Sequence, residues 1–398
     1  MNLDLTLALV FYALLVLYIT KNKSKFEFHG KIVALYKTKL GLKLMDKIAK
    51  VCPRILKFLG YISIITGFIG MVLIFYWLFK GTFDLLFIAG APPAVAPVLP
   101  GIKVMPGLPV LSFMHWIIAI LIIATIHEFS HGIFARLYNI KVKSSGFALF
   151  GPILAAFVEP DEKQLSKKKK NVQLAVFSAG PFSNILTGFL FIAVMTFITL
   201  PLQAAVFDSD GITVNGILDG YPMQETDVEI PFTIIQFNGQ EINDYNDFAE
   251  STVNLKPGDE AIVGTNKGDF SIVAAQNPEN SSKGFIGVSN FMINRSPNEE
   301  VVAKYGASVP QLVDWTHMLF FWLWVVSWGV GLFNLLPLGL VDGGRMLLTG
   351  LTFVTKNEKK AKKYWSIVSL VSVLLILINL APYLWQLLLF ILKPFFSF

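Results

Sequence analysis

Residues 117–132 read Ile-Ile-Ala-Ile-Leu-Ile-Ile-Ala-Thr-Ile-His127-Glu128-Phe129-Ser130-His131-Gly132, an apolar run that ends in three ionisable side chains within five positions. The run belongs to a stretch, Val104 to Ile126, without Asp, Glu, Lys or Arg, and about 20 such residues span a bilayer core. Ionisable groups inside a span cost roughly 3 kcal/mol or more each, so three together need a compensating cause. On a helix, residues four apart lie about 40° apart in azimuth and neighbours about 100°. His127 and His131 therefore aim at one point, and Glu128 reaches a water held there. This is the HExxH arrangement for zinc, with the glutamate as base. A buried hydrogen-bonded polar cluster, such as a proton path, is the alternative that spacing alone leaves open.

Outward from this helix the apolar pattern repeats. No Asp, Glu, Lys or Arg occurs from Phe58 to Phe79, Asn171 to Phe207, Trp315 to Val341 or Trp365 to Leu392, and Leu5 to Thr20 is a shorter run fenced by Asp4 and Lys21. Of 398 residues, 54% are hydrophobic and 15% charged, against roughly 25% charged in soluble chains. These runs predict a polytopic α-helical membrane protein with about six transmembrane helices, near 3–20, 57–80, 112–139, 172–200, 315–337 and 365–393. Pro382 either kinks the last helix or divides it into a span and a short hairpin over 383–398. Residues 91–110 carry six prolines, which forbid a regular helix and predict an extended or re-entrant outer segment.

The net charge of +6 is localised. Residues 21–57 hold 11 Lys/Arg against two acids, 140–170 hold seven against three, 338–364 hold six against two, and 208–314 hold 17 acids against five bases. Basic loops stay in the cytoplasm, so the bias reports topology and excludes a nucleic-acid partner. Residues 21–57 are expected to lie as a Lys-rich amphipathic segment on anionic headgroups. The single cysteine, Cys52, excludes an intrachain disulfide and Cys-based metal frameworks. The first apolar run lacks a basic n-region and a small-residue cleavage site, and reads as a retained helix with its N-terminus outside.

Between the fourth and fifth helices the composition becomes that of a soluble module. Strands are expected at 211–218, 233–237, 260–265 and 270–275, a helix at 245–252, and turns at Asn238-Gly239 and Lys256-Pro257-Gly258-Asp259. The expected organisation is an N-terminal two-helix membrane region (1–111), the first half of a catalytic membrane core (112–207), a small α/β extracytoplasmic domain (208–295), the second half of the core (296–355) and a C-terminal transmembrane segment (356–398).

Two histidines leave zinc short of a ligand, since catalytic sites usually use three. Asp342, in Asn334-Leu-Leu-Pro337-Leu-Gly-Leu-Val-Asp342-Gly343-Gly344-Arg345, is a candidate because Pro337 breaks the helix and the glycines free the backbone to turn a carboxylate inward. A cytoplasmic turn with Asp342 capping the next helix is the bland alternative. Depth supports the first: His127 lies nine residues before Arg136, about 13 Å inside the cytoplasmic boundary at about 1.5 Å per residue, and Asp342 falls near that boundary.

With these pieces the chain resembles the site-2 proteases, intramembrane zinc metalloproteases. The matching motifs are His127-Glu128-Phe-Ser-His131, Gly180-Pro181-Phe-Ser-Asn184 and Asn334-x-x-Pro337-x4-Asp342-Gly343, and the outer module is similar to a PDZ domain; together they cover residues 112–345. The resemblance implies one zinc per chain held by His127, His131 and Asp342, Glu128 as catalytic residue, Asn184 as a substrate or transition-state contact, and single-span membrane proteins in the lipid bilayer as substrates of regulated intramembrane proteolysis. Read from the residues alone, interhelical hydrogen bonding is the alternative role for Asn184. Residues 146–159 suit either a sheet whose open edge pairs an unwound substrate or a plain hairpin. His115 and His317 read as interfacial, and Trp322, Trp324 and Trp328 as packing or lipid anchors. A transporter would also place ionisable residues on broken helices, but it predicts repeats that the chain lacks. A catalytically idle adaptor is disfavoured by the intact Glu128.

Overall fold

The computed structural model describes residues 3–30, 33–101, 108–151 and 153–392. The chain begins with α1 (Leu3–Lys21), β1 (Phe26–His29), β2 (Val33–Thr38), α2 (Leu42–Val51) and α3 (Pro53–Phe87). Next come α4 (Phe113–Leu137), β3 (Val142–Phe150), β4 (Ile153–Pro160), α5 (Glu162–Ser166) and α6 (Lys170–Val194), then a π-helical turn, Met195–Thr199, and α7 (Leu200–Val206). The second half runs β5 (Phe207–Ile217), β6 (Phe232–Phe237), β7 (Gln240–Glu241), α8 (Tyr245–Thr252), β8 (Glu260–Thr265), β9 (Gly268–Val273), β10 (Ala275–Gln276), β11 (Gly284–Phe285) and β12 (Val288–Pro297). It closes with α9 (Glu299–Tyr305), α10 (Ser308–Asn334), α11 (Asp342–Thr355) and α12 (Glu358–Leu392). Two compact units result: residues up to Val194 together with those from Met318 onward, and Met195–His317.

Among the described residues, 6 helical segments are long and apolar enough to cross a membrane: Asp4–Lys21, Pro53–Phe87, Phe113–Leu137, Lys170–Val206, Ser308–Asn334 and Glu358–Gln386. They fall where the charge-free runs lie. α12 continues unbroken through Pro382, so the expected division does not occur before Leu392; residues 393–398 lie outside the described residues, as do 102–107 of the proline-rich segment. The described parts of that segment contain no helix and are tied down locally, with Trp116 Nε1 donating to the Val98 carbonyl at 2.9 Å. α3 starts with Pro53 at its first turn, where the missing N–H costs nothing. α4 starts at Ser112, whose hydroxyl accepts from the His115 N–H, and the Asp4 carboxylate of α1 takes the Phe113 N–H at 2.7 and 2.8 Å. Close helix packing rests on small residues, as membrane bundles require. Ser63 and Ser178, both fully buried, share a hydrogen bond of 2.8 Å between α3 and α6, and a side chain at Gly188 would run into Trp328.

The basic segment after α1 differs from expectation. α2 is amphipathic, burying Met45 and Ala49, but residues 26–38 form β1 and β2, which extend the β3–β4 hairpin into an antiparallel sheet of order β1-β2-β3-β4. Phe26 and Ala34 bury against Leu149, and Lys37 pairs with Glu27 across the two strands at 2.7 Å. That burial, and not headgroup binding alone, fixes the segment. Residues 146–159 are thus a hairpin within a sheet, and β4 is one of its edges.

In the second unit, five strands run antiparallel in the order β12-β5-β6-β8-β9, with β7 beside β6 and β10 paired with β11. Ile212, Val214, Phe232, Ile234, Phe237 and Val263 fill its core, and α8, capped by Asp244, closes it with Phe248. β12 was not expected: its residues after Ser289 are mostly exposed, so no buried alternation marks it in the sequence. The Asn298 N–H donates to the Val206 carbonyl at 3.0 Å, bringing both ends of the sheet together.

Asn379 is a fully buried side chain on α12 whose Oδ1 accepts the Ala94 N–H at 2.7 Å and whose Nδ2 donates to Thr82 Oγ1 at 2.6 Å. It joins α12, α3 and the proline-rich segment. We predict that Asn379→Leu, which leaves the Ala94 N–H unpaired, costs about 1–3 kcal/mol and lowers the melting temperature of the detergent-solubilised protein; an unchanged melting temperature would show the contact to be unimportant.

Candidate active site

α4 carries His127 and His131, four residues apart, both buried. Asp342 arrives from a different direction. After α10 ends at Asn334 the backbone turns tightly, with Leu335, Leu336 and Leu338 N–H groups bonded to Leu332, Phe333 and Leu336 carbonyls, and α11 starts at Asp342. The following glycines make this possible: a Cβ on Gly343 would collide with the carbonyls of Leu335 and Leu336, and one on Gly344 with that of Leu338. The turn therefore packs under the helix start and aims Asp342 inward. Its Oδ2 lies 3.0 Å from His127 Nε2 and 3.2 Å from His131 Nε2, and the two Nε2 atoms are 3.2 Å apart.

Protons alone explain this cluster poorly. His131 Nδ1 is 2.7 Å from the Val176 carbonyl oxygen, which can only accept, so Nδ1 carries the hydrogen. A neutral His131 then presents a bare Nε2 lone pair to a carboxylate and to a second imidazole, an arrangement that calls for a cation. Donors around a tetrahedral ion at about 2.0–2.2 Å lie about 3.3–3.6 Å apart, close to the separations seen. Among the described residues, this is the one group of three or more His, Cys, Asp or Glu side chains placed to hold a metal. Gly180 of α6 lines the same point: a Cβ there would lie 2.6 Å from His127 Nε2 and also overlap His131 Nε2. The donor set and the space kept open by Gly180 fit a small ion such as zinc.

Glu128 projects from the same helix toward β4. Its Oε2 accepts the Val158 N–H at 2.9 Å. A cleft of about 490 Å³ adjoins, lined by Glu128, His131, Asp342, Phe157, Glu159 and Arg345, so water and peptide have room beside the carboxylate. Ser144 Oγ donates to Glu159 at 2.7 Å and Arg345 pairs with Glu162 at 2.8 Å on its rim.

The other residues singled out in the sequence fall as follows. Asn184 is fully buried, and its amide stands 3.1 Å from His127 Nδ1. His115 and His317 are buried and hydrogen-bonded to Ser112 at 2.6 Å and Thr199 at 2.8 Å, and neither is a member of this cluster. Trp322 packs in a core with Phe113 and Trp116, Trp324 packs against Ile123 and Phe191, and Trp328 meets Phe189 edge-on at 5.1 Å. Gly180 and the Val158 N–H carried no separate signal in the sequence beyond the glycine's place in a motif.

An HExxH helix, a carboxylate from a broken helix and a glutamate beside a cleft, set among apolar spans, define a multi-pass membrane metallopeptidase. A family model described as Peptidase family M50 matches residues 115–379. Two relatives agree in extent: an uncharacterised protein of Methanocaldococcus jannaschii, 30% identical over 86% of this chain and 85% of its own, and a Fusobacterium nucleatum protein provisionally named a zinc metalloprotease, 22% identical over 67% of this chain and 92% of its own. The chain belongs to peptidase family M50, the site-2 protease family.

The space at Gly180 yields a direct test. We predict that Gly180→Ala abolishes stoichiometric metal uptake, measured by elemental analysis of the purified protein, while far-UV circular dichroism stays unchanged. One ion per chain in that variant would show that the ion is not bound where His127, His131 and Gly180 meet.

Proposed function

We propose that the protein is an intramembrane zinc metalloprotease that hydrolyses peptide bonds in or near transmembrane segments of single-span membrane proteins, as in regulated intramembrane proteolysis. The observation that carries this reading is the convergence of His127, His131 and Asp342 beside Glu128, with Glu128 bonded to the edge of β4. His127, His131 and Asp342 would hold one zinc per chain. The bound ion would supply Lewis-acid polarisation of the scissile carbonyl and a water of pKa about 7. Glu128 accepts the proton of the attacking water and returns it to the leaving amine. The Val158 N–H holds one carboxylate oxygen, which fixes the direction in which the other can act.

A substrate helix shields its own carbonyls and must unwind before attack. β4 pairs with β3 on one side only. Because strand N–H groups alternate in direction, the Val158 N–H that leaves the sheet toward Glu128 puts the Ala156 N–H on the same open side. An unwound segment added there as a strand would pass the base. The basic loops and the acidic 208–314 segment support an active site toward the cytoplasmic leaflet and an extracytoplasmic, PDZ-like sheet unit that selects substrates by their outer remnant.

Glu128→Gln is predicted to retain zinc while cleaving a panel of single-span substrates roughly 10² to 10⁴-fold more slowly, the usual loss for a proton-transfer group. Near-wild-type turnover would eliminate this mechanism. His131→Ala should lose zinc and activity together.

The junction of Val206 with Asn298 allows the sheet to be removed cleanly. With Phe207–Pro297 replaced by a short Gly/Ser bridge, cleavage of substrates with trimmed outer domains is expected to persist, and the preference for trimmed over bulky ones to fall. An unchanged preference, measured as the ratio of cleavage rates for one transmembrane segment with either outer domain, would make the sheet unit a spacer.

A further inference from the structure

We propose that Asn184 is a positioning residue for the metal site: its side-chain Oδ1 accepts the Nδ1–H of His127 and so keeps the Nε2 lone pair of that ring free for the ion. The inference rests on the proposed metal-binding role of His127. Asn184 lies on α6, one helical turn beyond Gly180, and is fully exposed to none of the solvent. Its backbone carbonyl accepts from Ser327 Oγ of α10 at 2.7 Å, and the hydroxyls of Thr187 and Ser327 are 3.0 Å apart. A Cβ on Gly331 would lie 3.2 Å from that of Asn184, so α10 approaches closely here. The amide is thus held on the ring of His127 from behind.

The two ends of a side-chain amide are nearly isosteric, and its hydrogen bonds decide between them. With Nδ2 facing the ring at 3.1 Å, His127 Nδ1 has to be bare and the proton sits on Nε2, the atom aimed at Asp342. A protonated Nε2 has no lone pair to give. That orientation also leaves Asn184 Oδ1 buried without a hydrogen-bond partner. With the ends exchanged, Oδ1 takes the Nδ1–H and Nε2 becomes a donor atom, matching the pattern that the Val176 carbonyl imposes on His131. Ligating histidines use their remote N–H in this way, and loss of the partner typically weakens metal binding 10–100-fold. The exchange moves the end without a protein partner from Oδ1 to Nδ2, while the oxygen serves the ring.

The test separates the two ends. Zinc dissociation constants, from competition with a chelator, would be compared for the full-length wild type, Asn184→Ala, Asn184→Ser and Asn184→Asp, with turnover of a single-span substrate measured at saturating zinc. The expected result is zinc binding weakened about 10–100-fold in the Ala and Ser variants, with affinity restored in Asn184→Asp, which keeps an acceptor, and turnover recovering in each variant once zinc is bound. Ser is too short to reach Nδ1 and retains polarity, so it stands in should Ala prove unfolded. Wild-type zinc affinity in Ala or Ser would overturn the proposal. Equal loss in Asp and Ala would overturn the acceptor argument. Absence of zinc binding by the wild type is a separate outcome that sinks the metalloprotease reading itself.

Discussion

The structure is organised around the cost of holding two imidazoles and a carboxylate together in an apolar helix bundle. Isolated, each group would be expensive there; converging within 3.0–3.2 Å, they become a site with a strong demand for a cation. Nearby features relieve crowding at this point. Gly180 gives the ion space, and Gly343 and Gly344 let a broken helix pack against its own turn so that Asp342 points inward. A side chain at any of these positions would collide with the histidine rings or with the backbone of the turn and lose the site.

The chemistry also depends on a second support that is not a helix. β4 is held by β3, β3 by β2 and β2 by β1, so the edge that holds Glu128 is backed by a four-stranded sheet instead of an isolated hairpin. Segments far apart in sequence thereby share one job: β1 and β2, in a stretch that looks like a basic linker, back the strand that binds Glu128.

Much of this was legible in the sequence because the relevant signals are extreme. Charge-free runs of membrane length have no soluble interpretation, and HExxH inside one of them requires compensation. Asp342 was a candidate partner for His127 because zinc lacked a third ligand, Pro337 and the glycines broke the helix beside it, and the two residues fell at a similar depth. The strands of the sheet unit announced themselves through alternation and the Asn238-Gly239 and Pro257-Gly258 turns. What escaped was whatever lacked a periodic burial pattern. β1 and β2 are only four and six residues long and lie within a basic stretch, and β12 is exposed along most of its length, so their pairing is set by neighbours that a linear reading does not supply. The contact of Asn184 with His127 joins residues 57 positions apart, and a buried amide looks the same in sequence whether it faces a helix, a ligand or a substrate.

The bond from Val158 N–H to Glu128 has a consequence for selectivity. Recognition at an open strand edge is made by main-chain atoms, which every peptide possesses. On the proposed reading, selection then falls on how readily a segment gives up its own helical hydrogen bonds. Spans weakened by glycine, proline or β-branched residues would be cut in preference to leucine-rich ones. The enzyme would read conformational lability, and a stable helix would be protected by its own cohesion.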